Sequence, residues 1–204
     1  MNNFSKLMLS DEEQQLVNNS DWILTKRVII DKVQQFFGDV SVIQKAILQN
    51  EKDWLPAAVL LSEAKISKGE NYLQLPFLML DYPRCFDGDN IFAVRTMFWW
   101  GNFFSITIHL SGSYKLMYQE NLIINFDKLK QCRFYLCINE SQWHHHFEED
   151  NYKAVDKLTQ PETGTIISQK QFIKLAVKFP LGQWDDIPAL LEKNYKEMIE
   201  MLKA

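Results

Sequence analysis

The chain has 204 residues, a formal net charge of −4 and 47% hydrophobic residues, among them fourteen Phe, seven Tyr and six Trp. This much apolar and aromatic material excludes disorder and supports a substantial core, so one domain spanning 1–204 is expected. Lys and Arg are scattered through a mildly acidic chain, without the basic footprint of a nucleic-acid binder.

At the N-terminus, MNNFSKLMLSDEEQQ has no uninterrupted apolar stretch and soon turns acidic, so no secretory signal is read and a cytoplasmic location is expected. Ser10 and Glu13 have capping-box spacing and predict a helix start. After Asn18-Asn19-Ser20 a second helical pattern runs through Trp22, Ile23, Val33, Phe36 and Phe37, with Gly38 placed to end it. Residues 41–49 read as a third helix, broken before Pro56.

Ser67-Lys68-Gly69 reads as a turn into NYLQLPFLMLDYP, a strand over 72–82 apolar enough to be buried on both faces, with a bulge or an edge at Pro76. Asp87-Gly88-Asp89-Asn90 then makes a loop into IFAVRTMFWWGNFFSITIHLSG. Gly101-Asn102 between two β-branched and aromatic runs predicts a two-residue hairpin turn joining strands 91–100 and 103–111. The turn and Arg95 argue against a membrane-spanning helix in this run, and no membrane association is expected. With that register Trp100 pairs with Phe103, and Arg95 pairs with Ile108 on an apolar face directed at the core. Phe92, Phe98, Trp100, Phe103, Thr107 and His109 share the other face, a mixture of rings, hydroxyls and one imidazole.

Residues 113–130 carry Tyr114, Tyr118, Leu122, Phe126 and Leu129 at helical spacing, and 133–139 reads as a strand. Residues 142–158 fit a helix, ended by a loop at 161–164. Ser168 and Gln171 suggest a capping box for a further helix with Phe172, Leu175, Ala176 and Phe179 inward. Asp185 or Asp186 begins the last helix, with Leu191, Tyr195, Met198 and Leu202 on one stripe. The predicted fold is α+β: an antiparallel sheet of 72–82, 91–100, 103–111 and 133–139 with a central Gly-Asn hairpin, covered by N-terminal, middle and C-terminal helices.

Cys85, Cys132 and Cys137 lack metal or disulfide spacing and read as small packing residues. His144-His145-His146 followed by Glu148, Glu149 and Asp150 offers imidazole–carboxylate pairs on a helix, or His144 with His146 on a strand; two ligands do not make a metal site. An Arg95 in the core requires a carboxylate, Asp81 first; otherwise Arg95 and Arg84 face an anionic ligand. No phosphate-cradling glycine loop and no nucleophile elbow is present.

The stretches KISKGENYLQLPFLMLDYPR and RTMFWWGNFFSITIHLSG resemble those of a family of uncharacterised bacterial cytoplasmic proteins. The resemblance implies a bacterial α+β protein and transfers no site residue and no cofactor. From the residues, the first expectation is a binding module that holds a small molecule or a partner chain through Phe98, Trp100, Phe103, Thr107 and His109, with Asp81, Arg84 and Arg95 as polar contributors. The alternative is a metal- or general-base-dependent hydrolase using His109 and the His144–His146 cluster. A homodimer buried through the aromatic face is a third reading.

Overall fold

The computed structural model of the protein describes residues 8–203. Ser10 accepts a hydrogen bond from the Glu13 amide while Glu13 accepts one from the Ser10 amide, and this predicted box starts α1 (Asp11–Asn18). The Asn19 side chain then caps α2 (Ser20–Asn50), which does not stop at Gly38 but absorbs the segment predicted as a third helix. Val33, Phe37, Val40, Gln44 and Leu48 form one buried stripe along it. Burial on both sides of Gly38 outweighs the penalty of about 1 kcal/mol for glycine in a helix. A short α3 (Ala57–Leu60) follows Pro56.

β1 (Lys65–Tyr72) and β2 (Leu75–Asp87) form a hairpin that turns at Leu73 and Gln74, both in the left-handed region. The 67–69 segment is therefore inside β1, and Pro76 lies at the hairpin end of β2. The irregularity in β2 falls later, between Asp81 and Arg84, where Pro83 cannot donate to a ladder. Leu78–Pro83 is buried on both faces, as predicted.

β3 (Asn90–Trp99) and β4 (Phe103–Ser111) are the predicted hairpin with a register one residue off. Three residues connect them, because Trp99 pairs with Phe103 and the Asn102 amide bonds the Trp99 carbonyl, with Gly101 in the left-handed region. Arg95 consequently opposes Thr107, not Ile108. Since side chains alternate along a strand, this slip separates the residues expected on one face. Phe92, Val94 and Phe98 join Phe104, Ile106 and Ile108 in the main core, while Arg95 lies on the opposite face in line with Thr107.

The helix predicted over 113–130 is two: α4 (Gly112–Ile124) and α5 (Phe126–Gln131). β5 (Tyr135–Cys137) is shorter than predicted. Residues 142–158 are not a helix; 138–151 crosses the sheet without regular structure and leads into β6 (Tyr152–Ala154). The 161–164 segment lies inside α6 (Gln160–Gln169), where Thr159 and Glu162 make the capping box. The helix predicted from Ser168 is a strand, β7 (Phe172–Pro180). The apolar positions there fit a 3.6-residue period, but Ile173, Lys174 and Val177 between them are buried as well, which is the pattern of a two-sided strand. α7 (Ile187–Glu200) buries Leu191, Tyr195 and Met198 as expected, although no Asp186 side-chain bond caps it.

The strands form an antiparallel sheet in the order β1-β2-β3-β4-β7-β5-β6, so the α+β class holds with seven strands among the described residues. α2, α4 and α7 cover one face, over the main core. The other face carries two smaller apolar clusters, one of Met79, Met97, Trp99 and Phe103, the other of Cys137, Tyr152, Phe172 and Ala176. Phe147 from the 138–151 loop packs against both. Among the described residues no helix is long and apolar enough to cross a membrane.

The β4–α4 junction is tied to the β2–β3 turn. The Ser111 hydroxyl donates to the Asp89 carbonyl, and the Asn90 side chain accepts from the Ser113 amide. Gly112 between them is in the left-handed region, and a methyl group there would meet the Asn90 Oδ1 and stand 2.8 Å from the Asp89 carbonyl oxygen. Gly112→Ala is expected to cost about 2 kcal/mol or more, read as a lower urea midpoint with unchanged slope.

Candidate functional site

Between the two small clusters, the loop-covered face of the sheet is polar. β2 contributes Asp81, β3 Arg95, β4 Thr107 and His109, and β7 Lys174, and all except Arg95 are buried outright. Asp81 and Arg95 are register partners. Arg95 Nε donates to Asp81 Oδ1 at 2.6 Å and Nη2 to Oδ2 at 3.1 Å, a bidentate pair with the side chains 14% and 10% exposed. The predicted partnership therefore forms, on the face opposite the main core.

The third guanidinium nitrogen, Nη1, donates to His145 Nε2 at 3.3 Å. An imidazole that accepts from a guanidinium must be neutral, with its proton on Nδ1. Burial pushes His145 well below its ordinary pKa, and the charges of Arg95 and Lys174 push the same way. His109 follows suit: burial, then Lys174, take it down to about 3, against the upward pull of its bond to Gln142. Its Nε2 lies 2.9 Å from Gln142 Oε1, so the neutral ring donates from Nε2.

Lys174 is 1% exposed. Among the described residues no carboxylate pairs with it; its ammonium donates to the His144 carbonyl and lies 5.4 Å from the centre of the Tyr152 ring. Burial is the main cause that brings its pKa down to about 8, which is still above neutrality and leaves the ammonium the main form at pH 7. The Tyr152 hydroxyl, buried at the same place, makes no hydrogen bond of ordinary length, and the side-chain hydroxyl placed to bond it is that of Thr107. Burial also holds this phenol and the Cys137 thiol in their neutral forms.

The cover over this island is the 138–151 loop, held by polar contacts. The Tyr72 hydroxyl accepts from the amides of His145 and His146 at 2.6 and 3.0 Å. Lys174 takes the His144 carbonyl, and the Asn151 side chain donates to the His146 carbonyl. Trp143 lies edge-on to His109 and is half exposed.

Four of the expected site residues thus come together: Asp81, Arg95, Thr107 and His109. Phe103 shares their face at the hairpin end, against Trp99 and Phe147. Phe98 is buried under the helices beside Phe104 and Trp184, and Trp100 packs on Trp22. Arg84 is exposed beyond the β2 irregularity, over Phe86. The histidine cluster forms neither predicted helical pair; His146 approaches Asp150 at 3.3 Å, and the His144 and His146 rings lie 5.4 Å apart. Among the described residues no three His, Cys, Asp or Glu side chains converge as a metal ligand set. Lys174, Tyr152 and Tyr72 were not singled out from sequence. Reading FIKLAVKF as a strand would have found the first, since it puts Lys174 in line with Phe172 and Ala176.

Removing Asp81 strands the guanidinium beside a second buried cation. Asp81→Ala is expected to cost roughly 3 to 5 kcal/mol and Arg95→Met considerably less, compared by thermal melts. The imidazoles set a pH dependence. Both are depressed in the folded state, so they stabilise fully above the unfolded value of about 6.5, and that stability is lost as pH falls below it. Each contributes a slope of about 1.4 kcal/mol per pH unit where only the unfolded chain binds the proton. Urea midpoints should fall steeply from pH 7 to pH 5, and His109→Phe should flatten the slope.

Comparison with protein-family models, with curated proteins and with solved structures gives no match, so the functional reading stands on this geometry.

Proposed function

We propose that the protein is a binding module that takes a small anionic molecule, a carboxylate or phosphate, onto the sheet face between Arg95 and Lys174, under the 138–151 loop. One observation supports this above the others. Two cations, Arg95 and Lys174, are packed into a dry face with one carboxylate, Asp81, while the two adjacent imidazoles are neutral. A buried charge without a counter-charge is costly, and a fold has no need of it when Met would fill the same volume. A guest anion supplies the missing negative charge. The Tyr152 and Thr107 hydroxyls, buried beside each other on this face, are the hydroxyl donors nearest to hand for such a guest.

The loop would act as the lid. Its hold on the sheet is a set of hydrogen bonds, loop amides to the Tyr72 hydroxyl, Lys174 to the His144 carbonyl and His109 to the Gln142 side chain, together with the Phe147 ring. A cation that donates to the His144 carbonyl can exchange that carbonyl for an anion when the loop lifts.

Lys174→Met separates a ligand cation from a structural clamp. Thermal melts with and without phosphate, malonate or succinate should show the wild type raised by at least one of these anions. Saturation at about 100 times Kd would add about 2.7 kcal/mol. The variant should be as stable as the wild type or more so without anion, and should lose the rise. A variant several kcal/mol less stable, with no anion effect on the wild type, would make Lys174 a loop clamp and end this reading.

A further inference from the structure

A second site lies at the other end of β7. β5 pairs with β7 only at Tyr135–Ala176 and Leu136–Leu175, so from Val177 to Pro180 that edge of β7 has no ladder partner. The chain leaves the sheet just before β5. Arg133 sits in the left-handed region, at φ 56°, and its amide bonds the Lys130 carbonyl. The Phe134 amide goes to the Leu129 carbonyl and the Phe134 carbonyl to the Val155 amide, so neither reaches β7. The amide bonds of Arg133 and Phe134, with Arg133 left-handed, are the Schellman close of α5, which turns the chain away from this part of β7 and from the space beside it.

That space is a groove of about 930 Å³ bounded by the β3–β4 turn, the α5–β5 connection and α7. Its cationic lining is Arg133, Lys178 and Lys193, all exposed; its one carboxylate, Glu197, is held by Lys128 at 2.9 Å. The groove therefore combines a free strand edge with a net positive wall.

We infer that this groove binds an extended acidic peptide segment of a partner, which adds as a strand to the Val177–Pro180 edge of β7. An unpaired strand edge offers amides and carbonyls in strand spacing, the basis of recognition by strand addition. Side chains of an added strand alternate between the two sheet faces. Lys178 is on the loop-covered face with Ser105, whereas Lys193 comes from α7 on the helix-covered face. Acidic residues at neighbouring positions of the guest would thus meet cations on both sides. The open edge is short and ends in Pro180, which has no amide to donate, so the charges must supply a large share of the selectivity.

The test is fluorescence anisotropy with a labelled, end-blocked peptide, Glu-Val-Glu-Glu-Val-Glu, on the full chain. Binding is expected that weakens about tenfold or more in the double variant Lys178→Glu/Lys193→Glu, and also when alternate peptide amides are N-methylated. Circular dichroism establishes that the variant, altered only at exposed positions, is folded. A Lys-Val-Lys-Lys-Val-Lys peptide should bind the double variant better than the wild type. The inference is overturned by no binding of the acidic peptide, by equal binding to the double variant, or by N-methylated peptide binding as well as the parent, which would mean adsorption by charge alone. Displacement by inorganic phosphate at unchanged ionic strength would make the groove a small-anion site. A concentration-dependent dimer abolished by the double variant would make the occupant a second copy of the chain, and each of these two results overturns it as well. Because Lys178 and Lys193 are outside the Arg95–Lys174 island, either result leaves the lid reading standing or falling on its own test.

Discussion

A guanidinium and a carboxylate that face each other across two neighbouring strands fix how β2 and β3 pair, and with it which residues of the hairpin face the core. Arg95 on β3 opposes Asp81 on β2 in register, and the bidentate geometry tolerates no slip of either strand. Asp81 is also the last paired residue before β2 becomes irregular. The ladder therefore keeps its regular spacing as far as the ion pair and relaxes beyond it. Given that register, every second residue of β3 must face the helices, and Phe92, Val94 and Phe98 do. The polar island and the main core are two sides of one alternation.

The two faces are covered by different kinds of structure for a physical reason. An apolar face can be covered by helices, which bring side chains and keep their backbone bonds to themselves. A face with a lysine, an imidazole and an ion pair needs partners, and an irregular segment supplies them from its own backbone and from the His145 and Gln142 side chains. The His144 carbonyl meets Lys174, and the His145 and His146 amides meet Tyr72. Residues 142–158 could be written as a helix only by ignoring where the polar groups of the sheet would find their bonds.

Much of this was legible in the sequence, and the rest was hidden for identifiable reasons. The α+β class, the 91–111 hairpin, the Ser10 and Thr159–Glu162 helix starts as spacings, and the Asp81–Arg95 pairing follow from residue type and local order, although only the first box was read as such. The hairpin register did not, because Gly101-Asn102 fits a two-residue and a three-residue connection alike, and the choice depends on where Arg95 and Trp99 are buried. β7 was concealed by its own composition: Phe172, Leu175, Ala176 and Phe179 satisfy the helical period, and only the burial of Ile173 and Val177 between them tells a strand from a helix. The long α2 was cut short by giving Gly38 more weight than the stripe that runs through it. Asp81, Arg95, Thr107 and His109 are legible in the sequence as polar candidates, but Lys174, the cation beside them, is on β7, where tertiary pairing alone brings it to His109.

The pairing of β4 with β7 links the island to the groove. His109 opposes Lys174, and four residues further along the same ladder Ser105 opposes Lys178. With a period of two, these lysines share one face of β7, the first buried under the loop and the second exposed at the groove mouth. Phe147 lies under Lys178, 5.3 Å from its ammonium, and it is also the ring that seats the loop on both small clusters. The same ammonium lies 5.6 Å from the centre of the Tyr135 ring, which stands edge-on to Phe147. Phe147 thus meets the groove lining through Lys178, Tyr135 and Phe103 together, whereas the opposite wall of the groove, α7, packs on the far side of the sheet.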